Sequence, residues 1–167
     1  LRFKSDVAAD YEVQNSYQFS IKVEDQGNNQ ITEEIVVAIS DVNEAPEITG
    51  TPATQVLQDQ PYEFQTVAID QDAGSRLTFS IENKPSWAIF DVKTGLLSGL
   101  PDNNNVGIYQ NIKVTVSDGH LEDSLPVFSL AVKNVNDAPT VFQSLGQQSV
   151  NEDALLTLTT AGVFKDI

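Results

Sequence analysis

The side chains in this sequence best suited to chemistry are carboxylates: 24 Asp and Glu stand against 9 Lys and Arg, with one His and no Cys. They recur at short spacing, as Asp10 and Glu12, as Asp41 and Glu44 around Asn43, and as Asp70 and Asp72, with Asp118 later before a Gly. Carboxylates, Asn amides and backbone carbonyls are hard oxygen donors, and calcium takes about 6 to 8 of them with no need for His or Cys. The formal charge of −15 favours cations and argues against nucleic acid or an anionic membrane as a partner. Without Cys there is no disulfide framework, thiolate site or Cys nucleophile. His120 has no Gly-x-Ser-x-Gly or similar arrangement to serve as a base, and is expected in an exposed turn. Carboxylate pairs of glycosidase type fall on the same acids that cation binding already uses, so the expectation is no catalytic residue and no enzyme.

What must position these acids is a repeated unit. Ile21-Lys22-Val23-Glu24-Asp25 matches the stretch ending in Val116-Ser117-Asp118, and Asp25 and Asp118 lie 93 positions apart. Asp41-Val42-Asn43-Glu44-Ala45-Pro46 matches Asn134-Val135-Asn136-Asp137-Ala138-Pro139 at the same offset. Gln58-Asp59 echoes Glu152-Asp153 with one residue more. Between the Gly, Pro, Asn and Asp clusters, apolar and polar residues alternate with the period of half-buried strands. Such runs are Tyr17 to Val23, Ile35 to Ile39, Tyr62 to Ile69, Leu77 to Ile81, Ile112 to Val116 and Val127 to Val132. Many short strands in a repeat of this length predict an all-β, immunoglobulin-like sandwich. The two Pro-ended stretches suit stiff linkers. Residues 47–139 are therefore read as one complete repeat, 1–46 as the carboxy-terminal half of a preceding one, and 140–167 as the opening strands of a following one. No apolar run approaches a membrane span, so no membrane insertion is expected of this fragment. The sequence reads as a cut from something longer, with export signals elsewhere.

These residues resemble a known family. Asp10-Tyr11-Glu12, the strand ending in Glu24-Asp25-Gln26-Gly27, and Asp41 to Pro46 are similar to the second half of a cadherin repeat. The central repeat resembles the dystroglycan-type cadherin-like domain through Leu77 to Ser80, Pro85-Ser86-Trp87, Thr94 to Gly99 and Val116 to Gly119. The resemblance implies Greek-key sandwiches strung in rods, with calcium between consecutive repeats. It implies as ligands Asp10 and Glu12, then Asp41, the Val42 carbonyl, Asn43 and Glu44, then Asp70 and Asp72, with Asp118 completing the set. If the repeat geometry holds, seven carboxylates meet in one region. Gln58 stands where the family usually has Glu, and Ala45 replaces a linker Asn, which implies fewer ions at this first junction than in a vertebrate repeat. At the second junction Asn103 and Asn105 replace Asp10 and Glu12, and Asn134 replaces Asp41. Asn136, Asp137, Glu152 and Asp166 remain there, and the expectation rests on the first junction alone.

The function implied is calcium-dependent, homophilic adhesion or protein interaction by a secreted or cell-surface protein, with other cadherin-like repeats as partners. The linkers look more like bacterial than vertebrate repeats. Two alternatives stand beside it: a carbohydrate-binding module of a secreted polysaccharide-acting protein, and a passive spacer. Polysaccharide binding would need an exposed platform from Trp87 with Tyr62, Tyr109 and nearby Phe residues, whereas a lone Trp in a sandwich is more often core. The two end segments carry complementary strands, so head-to-tail self-association through these incomplete repeats is a further expectation.

Overall fold

The computed structural model describes residues 8–165, all of them in strands, turns and loops except for one 3-10 turn. The first strands, β1 (Ser16–Glu24) and β2 (Gln30–Ala38), form an antiparallel hairpin paired from Ser16 with Ala38 to Glu24 with Gln30. Their alternation places Tyr17, Phe19, Ile35 and Val37 on one face, where the Tyr17 and Phe19 rings stack at 6.4 Å. The turn is closed by Asp25, whose Oδ1 accepts the Gly27 and Asn29 N–H groups, each at 2.8 Å.

Beyond the first linker come β3 (Glu47–Thr49), β4 (Gln55–Leu57), β5 (Tyr62–Gln65), β6 (Val67–Ile69), β7 (Thr78–Glu82), β8 (Ala88–Phe90) and β9 (Leu96–Gly99). After the 3-10 turn Asn103–Asn105 follow β10 (Gly107–Ser117), β11 (Glu122–Ser124) and β12 (Phe128–Lys133). One sheet runs β11-β10-β12-β4 with β7 also on β10; a second runs β5-β9-β8; and β3 pairs β6. The result is an immunoglobulin-like Greek-key sandwich. The long β10 serves β12 with its first half and β7 and β11 with its second, shifting register between Tyr109 and Ile112.

Period-two alternation explains the core. Ile112, Val114 and Val116 of β10 and Leu130 of β12 are fully buried, and they face Tyr62, Phe64, Ala88 and Leu97 of the opposite sheet. Trp87 is half-buried against this cluster, edge-on to Tyr62 at 6.2 Å and to Tyr109 at 6.1 Å. Burial pushes the Tyr62 hydroxyl up to about 12, and that hydroxyl donates to the Ala53 carbonyl at 3.1 Å. Gly95 has φ +71°, and a Cβ there would lie 2.1 Å from Thr66 Oγ1 and 2.9 Å from the Phe79 ring, so only Gly fits. Last come β13 (Thr140–Val141) and β14 (Phe164–Lys165), which pair with each other. Asp166 lies outside the described residues.

Candidate metal centre

Three segments converge at one end of the sandwich. Residues 10–13 form a turn before the hairpin: the Gln14 N–H donates to the Asp10 carbonyl at 3.0 Å, and the Val13 N–H to Asp10 Oδ1 at 3.1 Å. This turn presents Glu12. The linker after β2 presents Asp41, Asn43 and Glu44, and its Pro46 is buried, which anchors the linker to the sandwich. The chain leaving β6 presents Asp70 and Asp72, with Asp70 Oδ1 accepting the Asp72 N–H at 2.9 Å.

One carboxylate oxygen from each of Glu12, Asp41, Glu44 and Asp72 lies within 4.8 Å of the others. Asp72 Oδ2 also accepts the Glu44 N–H at 3.0 Å, which ties the linker to the strand end. Asp118 joins from the turn after β10: its Oδ2 accepts from Asn43 Nδ2 at 2.7 Å, and its Oδ1 accepts the His120 and Leu121 N–H groups at 2.6 and 2.7 Å. These bonds, the backbone ones first, hold Asp118 down to about 2. His120 itself is exposed. Asp10, Glu12, Val42 and Glu44 line a cavity of about 350 Å³ beside this group.

The electrostatics are those of an anionic cluster. Loss of solvation pushes Glu12 above the usual range; a backbone hydrogen bond opposes it, and the carboxylates of Asp41, Asp72 and Asp10 each add a smaller push upward. Glu44 is pushed the same way, by lost solvation first and then by Glu12, Asp72, Asp41 and Asp10. Every charged neighbour acting on these two groups is another carboxylate. Glu44 Oε2, Asp70 Oδ2 and Asp72 Oδ1 are buried with no hydrogen-bond donor. Such oxygens want a donor or a positive charge. A hard-oxygen set of this kind fits a divalent cation such as calcium.

Of the residues singled out from the sequence, Glu12, Asp41, Glu44 and Asp72 meet directly, while Asp118 is linked through Asn43 and Asp70 through the Asp72 backbone. Asp10 contributes its charge and caps the turn, and the Val42 side chain is exposed at the cavity wall. Gln71, between the two Asp residues, also lines the cavity, and its adjacency to them was the signal for it. At the far end of the sandwich the second linker is built differently. There Gln58 is buried and donates to Asp137, a role that sequence alone does not reveal.

Comparison with known proteins gives consistent relatives. Residues 45–133 match the family model described as a putative Ig domain. The human protein Protocadherin Fat 4 is 31% identical over 150 residues, which is 81% of this chain and 3% of that protein. A structure of Protocadherin Gamma B2 extracellular cadherin domains 3–6 superposes with a TM-score of 0.61 at 20% identity, covering 80% of this chain and 35% of that one. The Protocadherin GammaB4 extracellular domain gives 0.59 at 19% identity, covering 80% and 23%. The chain thus spans a small part of the relatives it matches. Those two likenesses concern the fold, which is cadherin-like. Among the described residues no helix is long and apolar enough to cross a membrane.

Proposed function

We propose that this chain, which belongs to the putative Ig domain family and has a cadherin-like fold, is a calcium-binding module of a secreted or cell-surface protein. Its work on this reading is adhesion or protein interaction, not catalysis. The observation that carries the proposal is the meeting of Glu12, Asp41, Glu44 and Asp72 within 4.8 Å, from both sides of one linker. Calcium there bridges the turn at residues 10–13, the linker and the strand end after β6, and so fixes the angle between the first hairpin and the central sandwich. The ligand set is Asp10, Glu12, Asp41, the Val42 carbonyl, Asn43, Glu44, Asp70, Asp72 and Asp118. The units are a carboxy-terminal half-repeat at 1–46, a complete repeat at 47–139 and the opening strands of another at 140–167.

Rods of such units present surfaces to like repeats, which makes other cadherin-like repeats, or the same protein, the expected partners. The hairpin leaves Ile21 and Val23 exposed, and the last segment exposes Val141 and Phe164. That supports head-to-tail association of the two ends. The edge-on packing of Trp87 between Tyr62 and Tyr109 supports a core role for these rings rather than a sugar platform.

Small-angle scattering with chelator and with calcium tests the proposal. A calcium-dependent junction gives a longer, stiffer particle with calcium, whereas superimposable profiles contradict it. A pulldown on insoluble polysaccharide run alongside is expected to retain nothing in either condition, and retention would favour the carbohydrate reading.

A further inference from the structure

We infer that the second linker is held by a buried glutamine amide in place of a cation, so that one chain carries two junctions of opposite chemistry. The 93-residue repeat places Asn103, Asn105, Asn134 and Asp137 where the first junction has Asp10, Glu12, Asp41 and Glu44. The local geometry repeats as well. Asn43 Nδ2 donates to the Glu44 carbonyl at 3.0 Å, and Asn136 Nδ2 donates to the Asp137 carbonyl at 3.1 Å. The turn at residues 10–13 has its counterpart in the 3-10 turn Asn103–Asn105.

What differs is charge and hydrogen bonding. Asn105 is uncharged, and its side-chain oxygen accepts the Asp102 N–H at 2.8 Å, closing a capping box within the turn. The half-buried Asp137 meets the amide of Gln58. Gln58 is 1% exposed, and its Nε2 donates to Asp137 Oδ2 at 3.0 Å and stands 3.5 Å from Asp59 Oδ2. An ionised carboxylate accepts and cannot donate, so the amide nitrogen must be the atom facing it. The Gln58 backbone is pinned too: its N–H donates to the Lys133 carbonyl at 2.9 Å, and the next N–H, of Asp59, to the Pro101 carbonyl at 2.7 Å. The other amide atom, Oε1, is buried with no donor, so the side chain is oriented by its N–H bonds alone.

A hydrogen-bond donor aimed at the linker acid does what, on the proposed function on which this contrast rests, a cation does at the first junction, and leaves little for a cation to do. A carboxylate at position 58 would bring a third anion against Asp59 and Asp137 and would demand a positive charge between them. Chelation should therefore free the first linker and leave the second in place.

The test is read first in chelator, where the first junction has no cation to lose. In chelator, NMR of the whole chain is expected to show the Gln58 side-chain NH₂ exchanging about tenfold or more slowly than a free glutamine amide, and calcium should not change this rate. Asp137→Ala should abolish the protection. Gln58→Glu should melt lower than wild type in chelator and gain more than the wild type's own calcium-linked rise when calcium chloride is added. Free-glutamine exchange in chelator, protection that appears only with calcium, protection that survives in Asp137→Ala, or a Gln58→Glu melting point unchanged in chelator would each overturn the inference.

Discussion

Replacing Asp72 with Asn separates charge from shape at the first junction. The Asn oxygen can still accept the Glu44 N–H that Asp72 Oδ2 accepts at 3.0 Å, so the linker keeps its anchor to the strand end. What is lost is one of the four clustered carboxylates and, with it, one of the buried oxygens that have no donor. Extracellular calcium modules bind on the order of 0.1 to 1 mM, so about 1 to 10 mM calcium is tenfold over a typical constant. A site held at that ratio adds about 1.4 kcal/mol. In a domain of this size each kcal/mol shifts the melting temperature by about 4 to 8 °C, giving a calcium-linked rise of about 6 to 11 °C in the wild type. Asp72→Asn should lose most of that rise. In chelator it should melt no lower than the wild type, because the substitution removes one of several mutually repelling anions. Scanning calorimetry of both proteins, with chelator and with calcium, reads all four values. An equal calcium-linked rise in the variant refutes the reasoning, and so does a large loss of stability in chelator.

Core substitutions should do the reverse. Leu97→Ala, at a fully buried position facing Ile112, Val114 and Leu130, should cost about 2 to 5 kcal/mol with the calcium-linked increment intact, as denaturant unfolding in chelator and in calcium will report. Gly95→Ala should destabilise the same domain, since it combines φ +71° with a methyl group inside contact distance of Thr66 and Phe79; an unchanged unfolding midpoint would contradict this. For pH, the Lys93 and Thr94 N–H groups hold the Asp91 carboxyl below its ordinary 3.8 in the fold. A lowered folded value means stability that is present above pH 3.8 and lost as pH falls through the folded value. Asp91→Asn should flatten that part of the acid-unfolding curve, and an unaltered curve would show that the turn contributes nothing.

Alternation made much of the sandwich legible in the sequence. The odd-even pattern of Ile112 to Val116 places Ile112, Val114 and Val116 in the core, and all three are fully buried. The short strands β4, β8 and β11 were not legible, because three residues carry no usable period and their partners fix them. The parallel pairing of Gln55–Leu57 with Ala131–Lys133 in particular depends on a contact across most of the repeat. The acids were legible as a set because they recur around one linker, yet their spacing could not say which four would meet. That choice is made by the turn cap at Asp10 and by the bond from the Glu44 N–H to Asp72. The two linkers looked alike as strings of residues, but Pro46 is buried and Pro139 is exposed. Gln58 looked like a lost ligand, and only its burial against Asp137 shows what it does instead.

The most direct measurement of the central claim is a calorimetric titration of the whole chain with calcium chloride. Saturable binding is expected with a constant on the order of 0.1 to 1 mM, carried by the cluster of Glu12, Asp41, Glu44 and Asp72. Heats of dilution alone, up to calcium levels well above that range, would contradict it.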